Sequence, residues 1–128
     1  MRCMSEPTAK PTAERQSQYD ELREFALSLP ETTEEFPWGH SAVKVRKKTV
    51  VFLSAEGHRL GMSAKLPDSS VMALTLPFAE PTGYGLGKSG WISASFHEGD
   101  VVPLPLLKDW IEESYRAIAP KKLSKLLD

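Results

Sequence analysis

The stretch Ser41-Ala42-Val43-Lys44-Val45-Arg46-Lys47-Lys48-Thr49-Val50-Val51-Phe52-Leu53-Ser54-Ala55-Glu56-Gly57-His58-Arg59-Leu60-Gly61-Met62-Ser63 decides the fold. Residues 41–46, 49–54 and 59–63 are rich in β-branched and apolar side chains and read as strands. They are separated only by Lys47-Lys48 and by Glu56-Gly57-His58, and connections this short join antiparallel neighbours. Because strand side chains alternate, Val43, Val45, Leu60 and Met62 fall on one face of the sheet. Lys44, Arg46, Arg59, Gly61 and Ser63 fall on the other.

Moving outward toward the N-terminus, residues 32–36 suit a short strand, followed by a Pro37-Trp38-Gly39 turn. Before them, Tyr19, Leu22, Phe25, Ala26 and Leu29 recur at three- and four-residue steps, so residues 12–29 read as an amphipathic helix stopped by Pro30. Residues 1–12 have no apolar periodicity and read as a flexible tail, which leaves 13–128 as one domain. Toward the C-terminus, Pro67-Asp68 opens a brief helix whose apolar stripe is Val71, Met72 and Leu74, and Pro77 stops it. Residues 80–90 hold four glycines and one proline and read as a loop or an irregular hairpin rather than the interior of an element. Strand alternation resumes in Trp91–Phe96, with Ile92, Ala94 and Phe96 on the core side and Trp91, Ser93 and Ser95 on the open side. A helix beginning near Pro105 carries Leu107, Trp110, Ile111, Ser114, Tyr115 and Ile118 on one stripe. After Pro120 come a last turn or two bearing Leu123, Leu126 and Leu127. Helices flanking hairpin-linked strands predict an α+β domain of two layers: an antiparallel β-sheet with helices packed on one face and the other face open.

Composition bounds the function. The 128 residues, 41% hydrophobic and 26% charged, have enough apolar content for a core and exclude wholesale disorder. No apolar run reaches the ~18 residues that span a bilayer, and residues 1–14 lack the apolar stretch of a signal peptide, so the expected location is cytoplasmic and no membrane partner is expected. The single Cys3 lies in the tail and excludes an internal disulfide. A net charge of −1 is not that of a generally basic nucleic-acid binder, so any contact with DNA must be local.

Gly85-Leu86-Gly87-Lys88-Ser89-Gly90 matches the letters of a dinucleotide-binding loop, but the residues after Gly90 carry a strand pattern where that chemistry needs a helix N-terminus. A Walker A loop would need glycine where Thr82 stands. His40, His58 and His97 show no metal-ligand spacing. Glu31, Glu34 and Glu35 form an acidic knot, which more often marks a solvated connection than a site. Neither a nucleophile elbow nor a reactive cysteine is present, so the chain is read as non-enzymatic, without cofactor or metal. The densest basic run is Lys44 with Arg46-Lys47-Lys48, and a hairpin tip so charged is suited to meeting phosphates. A turn kept soluble by lysine is the ordinary alternative.

Leu29-Pro30, Thr33-Glu34-Glu35-Phe36-Pro37-Trp38-Gly39, Val43-Lys44-Val45 with its basic turn, the run from Leu60 to Pro67, Gly87-Lys88-Ser89-Gly90-Trp91 and Ser114-Tyr115 together resemble the MmcQ/YjbR family, over about residues 18–124. The resemblance implies a frataxin-like (CyaY-like) α+β fold with a double-wing arrangement and DNA binding, and implies no catalytic residues. Two readings are open. In the first, Lys44, Arg46, Lys47, Lys48 and Lys88 contact DNA weakly and in a salt-dependent way. In the second, Trp38, Lys65, Lys88 and Trp91 on the open face hold an anionic small molecule or a protein segment. Iron handling, the third route such a fold suggests, requires an acidic first helix, whereas Glu14, Asp20, Glu21 and Glu24 are interleaved with Arg15 and Arg23.

Overall fold

A computed structural model describes residues 10–36, 41–82 and 90–127. Helix α1 (Ala13–Leu27) starts where Thr12 accepts the Arg15 backbone N–H at 3.2 Å, an N-cap that satisfies one of the donors left free in the first turn. Strands β1 (Thr32–Glu35), β2 (Ser41–Val45), β3 (Lys48–Glu56) and β4 (Arg59–Lys65) come next. After the single turn of α2 (Ser70–Ala73) come β5 (Ala79–Pro81), β6 (Trp91–Phe96), α3 (Leu104–Ile118) and α4 (Lys121–Ser124), then a final 3-10 turn, Lys125–Leu127. The six strands form one sheet in the order β1-β2-β3-β4-β6-β5, antiparallel throughout.

Helices α1 and α3 lie on the same face and bury its apolar half. Val43, Val45, Leu60, Met62, Ile92, Ala94 and Phe96, the set that alternation assigns to the core, are all at most 3% exposed. They meet Leu22 and Ala26 of α1 and Leu107, Trp110, Ile111 and Tyr115 of α3. At roughly 1.5–3 kcal/mol for each large side chain taken out of water, this cluster holds the two layers together.

Three buried polar groups shape the frame. The β2–β3 register slips between Val43 and Lys44, because Val43 faces Val51 while Lys44 faces Thr49, and Val50 is left over in a β-bulge. Ser114 of α3 occupies the gap: its Oγ donates to the Val50 carbonyl at 2.6 Å and accepts the Lys65 N–H at 3.0 Å. Its neighbour Tyr115 donates its phenol to the Pro30 carbonyl at 2.7 Å, tying the end of α3 to the connection before β1. Arg15 is 2% exposed, and its guanidinium donates to the carbonyls of His58, His97 and Asp100 and to the Gln18 side chain. It thereby clamps α1 to the β3–β4 turn and to the loop after β6.

Several local expectations change. Of residues 80–90, Glu80 and Pro81 belong to an edge strand, Ala79–Pro81, that pairs antiparallel with β6, so the hairpin reading holds for the start of the segment and the loop reading does not; a proline without an N–H is tolerated at such an edge. The Val71, Met72 and Leu74 stripe does not face the core: Val71 and Met72 are 80% and 74% exposed, and Ala73 is the buried member of α2. The helix starts at Ser70 rather than Pro67, because Glu113 of α3 accepts the backbone N–H groups of Asp68 and Ser69 and holds them in a turn.

Candidate nucleic-acid interface

The β2–β3 hairpin closes on the Val45–Lys48 pair, with Arg46 and Lys47 as its two loop residues. Both have positive φ, 52° and 70°, the pattern of a type I′ turn, whose usual occupants are Asn-Gly. A non-glycine residue in this left-handed region costs about 1–2 kcal/mol, so the tip presents two long cations at a conformational expense.

The four wing cations are not equally available. Lys44 Nζ lies 3.0 Å from Glu35 Oε1, and Arg46 Nε donates to Glu31 Oε1 at 2.9 Å. Lys47 and Lys48 are exposed and make no ion pair among the described residues. The hydrogen bond from Arg46 holds the Glu31 carboxyl below the usual carboxylate range, with the charges of Arg46 and Lys122 acting in the same direction. The acidic knot is therefore no cluster. Glu31 serves the turn, Glu35 points to the open face beside Lys44, and Glu34 points to the helix face.

There Glu34 is bonded bidentately by Arg23, at 2.7 and 2.6 Å, and also accepts the Ser41 hydroxyl at 2.7 Å. Arg23 first, and Ser41 with it, hold its carboxyl below the ordinary value against the opposing effect of burial. Tyr19 completes this network through a hydrogen bond with the fully buried Ser41. The arrangement leaves Glu34 fixing α1 to β1 and β2.

On the open face, Lys65 is half-buried and stands directly across from Trp91 in the β4–β6 register. Trp91 does not offer the free indole expected of it. It is only 8% exposed and packs at 5.9 Å, ring to ring, on Phe52 of β3. The two rings meet across β4, as large side chains on one face of a sheet do. A row of hydroxyls runs beside them: Ser63 and Ser93 are 2.7 Å apart, and Ser93 and Thr82 are 2.9 Å apart. Gly61 leaves room for Ser54, whose Oγ would lie 2.9 Å from a Cβ at that position.

Trp38 and Lys88, candidate residues on sequence grounds, lie outside the described residues, as do Cys3, His40 and most of the glycine-rich run. Gly90 is described. It has φ 89° and is followed at once by β6, so no helix N-terminus stands there to receive a phosphate. His58 and His97 are exposed, and among the described residues no group of three histidine, cysteine or acidic side chains is placed to hold a metal. Also among the described residues, no helix is long and apolar enough to cross a membrane.

A family model for YjbR matches residues 27–117, most of the chain. The chain belongs to the YjbR family. The crystal structure of Deinococcus radiodurans protein DR2400, whose domain is DUF419, is similar at a TM-score of 0.63, with 24% identity over 84% of this chain and 82% of that one. At that identity the likeness speaks for the fold alone, and YjbR is a family of uncharacterised function with no known enzymatic activity. No curated protein matches. The matched span takes in the hairpin and Ser114-Tyr115, and it leaves out most of α1 and all of α4.

The signals differ in legibility. Nothing in the sequence marks Ser114 as a bulge filler or Arg15 as a clamp, because each acts on carbonyls distant along the chain. The ion pairs that quench Lys44 and Arg46 arise from β1 lying beside β2, a neighbour relation that a succession of strands does not contain.

Proposed function

We propose that this YjbR protein is a non-enzymatic, cytoplasmic DNA-binding protein that meets phosphates through the β2–β3 hairpin. The observation that carries this reading is the tip itself. Arg46 and Lys47 occupy left-handed positions where Asn-Gly would be more stable, and backbone strain kept at a projecting cationic turn suggests a use for those side chains. With Lys44 and Arg46 each opposed by a carboxylate, the wing alone acts as about two free charges, so its binding should be weak, with log K falling by about 2 per decade of salt.

Replacing the turn by its preferred pair, Arg46→Asn with Lys47→Gly, tests the reading. The backbone relief predicts a higher melting temperature, and the lost cations predict weaker binding to a fluorescently labelled duplex at low salt, read by anisotropy. Unchanged affinity in the stabilised variant would refute the wing as a DNA contact.

A second reading is favoured by the Thr82-Ser93-Ser63 hydroxyl row beside Lys65: the open face would bind an anionic small molecule or a protein segment. If the wild-type protein shows no DNA binding at low salt, this reading becomes the better one.

A further inference from the structure

Two free charges are few for a protein that binds DNA, and the structure brings further cations to the same end. Tyr115 anchors the C-terminal turn of α3 to the Pro30 carbonyl, and the next residue, Glu31, is the partner of Arg46 at the hairpin tip. From that anchor only a few residues lead to Pro120 and α4, whose Leu123 is buried and whose Lys121 and Lys122 are exposed, with Lys125 exposed in the final turn. Only five residues separate α4 from Tyr115, and the charge of Lys122 acts on the Glu31 carboxyl that bonds Arg46, which brings this lysine to the end of the fold where the hairpin tip lies. None of these three lysines makes an ion pair among the described residues.

We infer that α4 and the hairpin tip form one bipartite surface for the phosphate backbone of duplex DNA, with Lys121, Lys122 and Lys125 on one side and Lys47 and Lys48 on the other. The inference rests on the wing reading and supplies the charge it lacks. In a chain of net charge −1, five lysines without an ion pair among the described residues at one end leave the remainder distinctly acidic, and acids such as Asp20, Glu21 and Glu24 line a shallow cleft on α1. A molecule so polarised approaches a polyanion with its basic end first.

The salt dependence separates one element from two. Five neutralised phosphates give a slope of log K against log salt near −4.5, roughly a 500-fold loss of affinity between 50 and 200 mM salt. Two give a slope near −2 and roughly a 12-fold loss. The experiment compares three full-length proteins by duplex anisotropy across that range: wild type, Lys121→Ala/Lys122→Ala/Lys125→Ala, and Lys47→Ala/Lys48→Ala. All five lysines are exposed, and circular dichroism melts check that the fold is kept.

The expected result is a wild-type slope beyond −4, which each variant flattens. A wild-type slope near −2 that the α4 variant leaves unchanged and the wing variant abolishes would overturn the bipartite surface and keep the wing. A slope flattened by the α4 variant alone would overturn both the wing and the pairing, and absence of binding at low salt would overturn both readings together.

Discussion

Replacing Ser114 by alanine removes one oxygen atom and two hydrogen bonds at the centre of the molecule. The Ser114 hydroxyl, fully buried, is the donor to the Val50 carbonyl at 2.6 Å and the acceptor for the Lys65 N–H at 3.0 Å, both backbone groups beside the β-bulge. Alanine fits the space but satisfies neither group, and a buried backbone group left unpaired costs about 1–3 kcal/mol. Allowing for some relaxation, the loss should be on the order of 2–4 kcal/mol, a large share of the 5–15 kcal/mol that holds a typical domain folded. Urea unfolding followed by tryptophan fluorescence, to which Trp110 in the core contributes, should show a lower midpoint at an unchanged slope. Ser124→Ala serves as the comparison, because its exposed hydroxyl bonds only the Lys121 carbonyl within its own turn and should change little. A loss below about 0.5 kcal/mol for Ser114→Ala would show that the bulge satisfies its own backbone groups and that the hydroxyl is incidental.

Arg15→Lys keeps the charge but loses the fork that reaches the His58, His97 and Asp100 carbonyls at once, so stability should fall and amide exchange should quicken around residues 57–58 and 97–100. Protection unchanged in those turns would mean that they are held by other contacts. The Glu34 carboxyl titrates lower in the folded protein than in the unfolded chain, chiefly because Arg23 bonds it, so its contribution is present above the unfolded value near pH 4.3 and is lost as pH falls through the folded one. Arg23→Met should therefore lower the melting temperature at pH 7 and flatten its decline between pH 5 and pH 3, whereas parallel curves for the two proteins would assign that decline to other groups.

Period-two alternation was enough to phase the sheet, because Val43, Val45, Leu60, Met62, Ile92, Ala94 and Phe96 are buried on one side only and a slip by one residue would reverse every one of them. The same rule puts Trp91 on the open face, where it lies. It assigns a face correctly but says nothing of whether a ring on that face lies against a neighbour, here Phe52. Val71 and Met72 failed for a related reason, since a single helical turn held by Glu113 has no length over which periodicity can choose a face. At the candidate site, the basic residues of the hairpin were visible as letters. Their strength was not, because Glu31, just before β1, and Glu35, within it, reach them from a strand whose place in the sheet is set by packing. The lysines of α4 are equally visible as letters, but only the fold carries them back to the hairpin.

The margins of the sheet have a consequence for the company this protein keeps. On one side the outermost strand, β1, has four residues, two of them glutamates, and on the other β5 has three, ending in Pro81, which has no N–H to offer. A strand from a second molecule arriving at either margin would find too short a ladder to add to, and at β5 one rung without a donor. Among the described residues, both edges of the sheet thus disfavour lengthening by strand addition, although the sheet is not a barrel.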